Sequence, residues 1–229
     1  MIIIPVIHHI SEDLTRRELT MISRYTDHAV IISMDGKDDD AFQVALRMKQ
    51  EFRMMYIGFN ALSKTAQESM INNMQHTIDF TWSDEVVVSS EGVTREALDI
   101  AHRLQDHQRV DKRRLPHRFF TSCAFKYQAH EPNPGQAAIR AAELGFIPTT
   151  SGDGTGIAVS LEKLSNIRAA LNTINSGSPL AVASGVTPQN FMVQAPYLTH
   201  VLINTGISRS GYLQEDLLRT IVEMDSGIQ

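Results

Sequence analysis

Short apolar runs alternate with stretches of helical period along the whole chain. The runs begin near Ile2, Ala29, Met54, Ile78, Phe119, Phe146, Leu180 and Val201. Several, such as Ala29-Val-Ile-Ile and Leu180-Ala-Val-Ala, are apolar without alternation, the pattern of a strand covered on both faces. Between them, Phe42, Ala45, Leu46 and Met48 fall on one side of a helix, and Leu161, Leu164, Ile167, Arg168 and Leu171 recur at three and four. Asp13 to Leu19 does the same more weakly. Thr94 and Ser160 read as N-caps, Ser11-Glu12-Asp13 as a stretch that puts acids in a first turn, Thr187-Pro188 as an N-cap followed by Pro at the first helical position, and Gly145 as a helix terminator.

Eight strand–helix units in 229 residues predict a single-domain (β/α)8 barrel over 1–229, compact against the usual ~250. The alternative is an open doubly wound sheet. Eight strands are many for one open sheet, and no G-x-G-x-x-G follows the first strand. Ile78 to Trp82 is the least regular strand. Glu85-Val-Val-Val-Ser-Ser fits either a strand or a loop over the strand ends, and is placed in the loop.

The composition is ordinarily globular, and a net charge of -5 argues against a nucleic-acid partner. A single cysteine, Cys123, leaves no disulfide framework and fits a reducing compartment; the chain is expected to be cytoplasmic. Met1-Ile-Ile-Ile-Pro-Val-Ile lacks a basic leader and reads as a first strand. No run of about 18 apolar residues predicts a membrane span. Met192, Tyr197 and Leu198 fit either an oligomer interface or packing against the barrel.

In a barrel, residues at or just past the strand C-termini line the site. That places His8 and His9, Asp35, Asn60, Asp84, Lys126 with Gln128, the loop from Thr149 to Gly156, Ser184 with Gly185, and Thr205 with Gly206 at one mouth. The last two pairs follow strands seven and eight. Each combines a hydroxyl with a glycine at a strand-to-helix turn, where outward N–H groups suit a phosphate. Ser151, Gly152 and Gly154 belong to a glycine-rich loop after strand six that wraps a second anionic group or closes as a lid; a plain flexible loop is the alternative.

Lys126 follows a buried strand and is expected to face an anion. Asp35 and Asp84 are the acid/base candidates, while Asp38 to Asp40 charge a helix N-terminus. Asn60 is placed to hydrogen-bond a sugar hydroxyl. Alternation lets only one of His8 and His9 face the mouth. No histidine or cysteine spacing completes a metal set. His76, His102, His107, His117 and His130 read as surface or helix residues, and the basic run Arg109 to Arg114 as a solvated patch on the opposite face.

Gly58-Phe59-Asn60-Ala61-Leu62, Thr150-Ser151-Gly152-Asp153-Gly154-Thr155-Gly156 and Leu180-Ala-Val-Ala-Ser184-Gly185-Val186-Thr187-Pro188-Gln189-Asn190 together resemble the BtpA/SgcQ-like family of phosphate-binding (β/α)8 barrels. The Ser-Gly-Val-Thr-Pro-x-Asn turn is more distantly similar to that of phosphoribosylanthranilate isomerase-type barrels. The resemblance implies that Ser184, Gly185, Thr205 and Gly206 bind phosphate with the Ser151-to-Gly156 loop beside them. One branch of that family is associated with photosystem I assembly, so the resemblance supplies no reaction.

The expectation is therefore an enzyme acting on a phosphorylated small molecule, a sugar phosphate or a phosphoribosyl or nucleotide compound. Its class would be isomerase, lyase or glycosyl/phosphoribosyl transferase. The alternative is a non-catalytic assembly or regulatory protein that keeps the barrel. No cofactor is predicted, although flavin and a divalent metal remain open.

Overall fold

The computed structural model describes residues 1–34, 36–110 and 117–227. Eight parallel strands close into a barrel, β1 pairing with both β2 and β8. They are β1 (Ile2–His9), β2 (His28–Ser33), β3 (Tyr56–Asn60), β4 (Phe80–Ser83), β5 (Arg118–Ser122), β6 (Ile147–Thr150), β7 (Ala181–Ala183) and β8 (His200–Ile203). Helices α1 (Glu12–Ile22), α2 (Asp38–Glu51), α3 (Ala66–Gln75), α4 (Arg95–Val110), α5 (Pro134–Glu143), α6 (Leu161–Ile174), α7 (Phe191–Gln194) and α8 (Glu215–Ser226) follow the strands in turn. The fold is a single-domain (β/α)8 barrel, and no helix among the described residues is long and apolar enough to cross a membrane.

Alternation along each strand sorts two cores. Ile4, Val6, Val30, Ile32, Phe80, Trp82, Phe120, Ile147, Ala181, Ala183 and Leu202 fill the barrel. Ile3, Ile7, Ala29, Ile31, Ile57, Phe59, Val182, Val201 and Ile203 pack outward on the helices. Burial on both faces is why these strands lack a polar period. Inside, large side chains are matched to small ones. A Cβ on Gly58 would sit 2.1 Å from the Phe80 ring, so the glycine is what admits that phenyl group.

The helix starts follow their caps. Ser11, Thr94 and Ser160 accept from the backbone N–H groups of Leu14, Ala97 and Lys163. Gly145 ends α5's turn at φ +80°. The expected helix start at Thr187-Pro188 is displaced. Asn190 Oδ1 accepts from the Thr187 N–H and its Nδ2 donates to the Gly185 carbonyl, so residues 187–190 form a side-chain-closed turn. Only the four residues of α7 and a 3-10 turn, Ala195–Tyr197, remain before β8. Leu198 and Tyr197 pack against the barrel core, leaving Met192 exposed.

A second displacement follows β8, where a 3-10 turn (Thr205–Ile207) and a two-stranded ribbon, β9 (Ser208–Arg209) with β10 (Tyr212–Leu213), precede α8. Glu85 to Ser90 is loop, apart from an isolated bridge between Val88 and Val93. His117, expected at the surface, is buried, with Nε2 against Thr81 Oγ1 at 2.8 Å and Nδ1 against the Ile78 carbonyl at 3.1 Å. Its ring fills the space beside the start of β5, a fit that no sequence period carries. Arg109 is exposed beside Asp106, whereas 111–114 of the basic run lie outside the described residues.

Candidate functional site

Register decides which side chains reach the mouth at the C-terminal end of the strands. His8 pairs with Ile32 and Ile32 with Asn60, and Ile32 belongs to the barrel interior. His8 and Asn60 therefore point inward. His9 points to α1, where Nδ1 meets Thr15 Oγ1 at 2.8 Å. The choice between the two histidines falls to His8.

Asp84 lies two residues past the inward-facing Trp82 and returns to the same face. Asn60 Nδ2 donates to Asp84 Oδ1 at 3.1 Å, and Gln128 Nε2 donates to the Asp84 carbonyl at 2.8 Å. Burial pushes the Asp84 carboxyl above its ordinary value, opposed by the Asn60 hydrogen bond and the positive charge of Lys126. Burial, then the same Lys126 charge, pushes the His8 imidazole down. One ammonium thus acts on both groups. A carboxyl raised and an imidazole lowered at one barrel mouth have opposite proton appetites, the arrangement acid/base chemistry uses. A groove of about 420 Å³ opens beside Asn60, Ser63, Lys64, Asp84 and Gln128.

Lys126 is not at a strand end, because β5 stops at Ser122. It sits in the following loop, held by its own N–H donating to Ser151 Oγ at 2.7 Å. Its Nζ reaches Thr155 Oγ1 at 3.4 Å and lies 5.6 Å from the Phe125 ring centroid. The Thr155 N–H donates to the Tyr127 hydroxyl, which donates back to Thr155 Oγ1. The loops after β5 and β6 are latched together at the mouth.

The loops after β6, β7 and β8 stack on one another, and their glycines make that stacking possible. A Cβ on Gly152 or Gly185 would lie 2.3 or 2.1 Å from the Ile157 carbonyl oxygen, and one on Gly206 only 1.8 Å from that of Val186. The close approach these glycines permit is between loops. Gly154 is less crowded: a Cβ there would lie 3.1 Å from Ile157 Cδ1. The Ser184 hydroxyl also serves the assembly, accepting from the Gly156 N–H at 2.8 Å. Ser184 and Gly185 are consecutive left-handed residues, with φ of +82° and +72°. For serine that conformation costs about 1–3 kcal/mol and is found where a turn must aim its backbone groups.

Among the described residues, the backbone N–H groups of Gly185, Thr205 and Gly206 have no hydrogen-bond partner. Thr205 itself is exposed. Unpaired amides at adjoining turns are the kind of donor an oxyanion engages.

Lys163 is a bracing residue that no sequence motif marks. Its Nζ donates to the carbonyls of Ala124 and Ser151, tying the loops after β5 and β6 from behind. Burial lowers its pKa, and Asp153 opposes that. A signal existed: Lys163 is in the first turn of α6, the end of a helix where the dipole disfavours a cation. Asp35 lies outside the described residues. Among those described, no group of three or more His, Cys, Asp or Glu is arranged to hold a metal ion.

No family model matches the sequence, and no curated protein matches it. The fold does have solved relatives. A KGPDC from Streptococcus mutans in complex with D-R5P superposes with a TM-score of 0.70 at 9% identity, over 99% of this chain and 97% of that one. The 3-hexulose-6-phosphate synthase from Salmonella typhimurium gives 0.68 at 8% identity, over 100% of both chains. The phosphoribosyl anthranilate isomerase from Thermus thermophilus gives 0.66 at 10% identity, again over 100% of both. At such identities the likeness establishes the barrel architecture.

Proposed function

We propose that this chain is an enzyme acting on a phosphorylated small molecule, a sugar phosphate or a phosphoribosyl or nucleotide compound. The observation that carries the reading is the mouth's division into two halves. Unpaired N–H groups of Gly185, Thr205 and Gly206 form one half. Asp84, Asn60, His8 and Lys126 form the other. A phosphate held on the first half would fix the rest of the substrate over the second, turning an encounter into an oriented reaction. Several structural relatives are named for phosphorylated sugars or phosphoribosyl compounds, which supports the same substrate class.

In this reading Asp84 carries a proton to or from the substrate, and Asn60 fixes its carboxyl or a sugar hydroxyl. Lys126 stabilises negative charge developing near Asp84. Asp35, after β2, is a further acid/base candidate. Ser184 and Gly185 aim the anion-binding turn, and Ser151, Gly152 and Gly154 hold the neighbouring loop against it. The order of these motifs also resembles that of BtpA/SgcQ-like barrels.

The test is a panel of pentose and hexose phosphates followed by ¹H and ³¹P NMR. At least one should be consumed by the wild type and bound but left unconverted by Lys126→Ala, with turnover down by roughly 10²–10⁴. A bound sugar phosphate that wild type and Lys126→Ala both leave untouched would move the reading to the non-catalytic class.

A further inference from the structure

A cavity of about 630 Å³ lies at the opposite end of the barrel from the site above, under the N-termini of the strands. That end usually serves stability, and an apolar floor would suffice. Here four of the residues lining it at the strand starts are polar: His28, Tyr56, Arg118 and His200. Phe80 points into the barrel and pairs with Arg118, so Arg118 points inward too. Its Nη1 reaches across the floor to His200 Nε2 at 3.4 Å.

His200 cannot serve as the counter-charge. The Thr199 hydroxyl sits 2.7 Å from His200 Nδ1 and donates its own proton to the Leu180 carbonyl. Nδ1 therefore donates, and Nε2 is the acceptor facing Arg118. Burial, reinforced by Arg118, keeps the ring neutral. Arg118 has no carboxylate partner among the described residues, and neither does Arg53 on the cavity rim, whose Nε donates to the Gln50 carbonyl. The cavity's acid, Asp79, is already paired with Lys49 at 2.6 Å.

The walls are planar rings. His28 stacks on Tyr56 with centroids 4.7 Å apart, and Phe120 meets His200 edge-on at 5.4 Å.

We propose that this cavity is a second binding site, for a small organic oxyanion, a carboxylate or phosphate monoester on a flat unsaturated body. The oxyanion would pair with Arg118, whose planar fork matches carboxylate and phosphate oxygens, with Arg53 adding charge at the entrance. The flat body would lie against the His28–Tyr56 stack. The ligand supplies the counter-charge that Arg118 lacks. The site is separated from the C-terminal mouth by the apolar layers of the barrel interior, so it is independent of the substrate proposed above.

The probes are phenyl phosphate, benzoate and inorganic phosphate, read by the ring-proton NMR signals of His28 and His200, assigned with H28Q and H200Q. Phenyl phosphate or benzoate up to about 10 mM should move both signals and bind more tightly than inorganic phosphate, because only they fill the aromatic wall. Arg118→Met should weaken binding by about tenfold or more. Arg53→Glu, at an exposed position that leaves the barrel floor intact, should weaken it several-fold and decides the matter if Arg118→Met does not fold. Thr205→Glu should leave these shifts unchanged. Silent His28 and His200 signals in the wild type, movement of His8 alone, or unaltered affinity in the arginine variants would overturn the proposal.

Discussion

Lowering the pH from about 7 to about 5 should cost this barrel about 4 kcal/mol of stability, and two histidines account for most of it. His117 is driven down to about 4 by burial, with a push from His107 and opposed by the hydrogen bond its ring makes to the Ile78 carbonyl. His200 is driven down to about 3 by burial, Arg118 and His28. Both titrate near 6.5 when the chain is unfolded. A folded pKa below the unfolded one gives stability that is complete above the unfolded value and lost as the pH falls below it. The loss is about 1.36 kcal/mol per pH unit per ring, hence about 2 kcal/mol for each at pH ~5.

His8 and His28, also lowered, act in the same direction. Asp84 and Glu18, raised by burial, act in the opposite one. The assay is urea unfolding at several pH values. With a slope near 3 kcal/mol/M, the midpoint should fall by more than about 1 M. The His117→Gln, His200→Gln double variant isolates the histidine share and should flatten the dependence. A midpoint constant within about 0.3 M, or an unchanged pH slope in the double variant, would refute the reasoning.

Gly206→Ala should destabilise by about 2–4 kcal/mol, since its methyl would overlap the Val186 carbonyl and neither backbone can yield cheaply; thermal unfolding measures this. If the glycine is only a flexible turn residue, the melting temperature will hold. Lys163→Met should cost about 1–3 kcal/mol by leaving the Ala124 and Ser151 carbonyls without their donor. It should also speed amide exchange across 124–128 and 151–157, and equal exchange in both proteins would remove Lys163 from its bracing role.

The barrel was legible because its strands must be apolar on both faces and its helices on one, and both patterns survive in a single sequence. All eight strand starts fall within two residues of the apolar runs that predict them, even at the least regular one, where Ile78 precedes a strand starting at Phe80. What was hidden depends on facts that no local pattern carries. His8 or His9 is a question of register against β2. The α7 start was misread because Asn190 folds back on Gly185, so a Thr-Pro pair that usually opens a helix opens a turn. Gly185 and Gly206 were expected at phosphate-binding turns; the space their missing side chains leave is taken by neighbouring carbonyls. His117 and Arg118 straddle the point where the chain enters β5; the burial of His117 and the pairing of both come from strands distant in sequence.

The central claim is that the turns after β7 and β8 hold a phosphate. Its most direct test is a thermal-shift titration with inorganic phosphate, ribose 5-phosphate, phosphoribosyl pyrophosphate and nucleoside monophosphates. Wild type should be compared with Thr205→Glu, which sets a negative charge at an exposed position beside the unpaired amides without the steric overlap that Gly206 would suffer. A phosphorylated sugar at about 100 times its Kd should stabilise the wild type by about 2.7 kcal/mol, and Thr205→Glu should lose that gain while melting normally alone. Stabilisation of equal size in Thr205→Glu, or none by any phosphate in the wild type, would contradict the account.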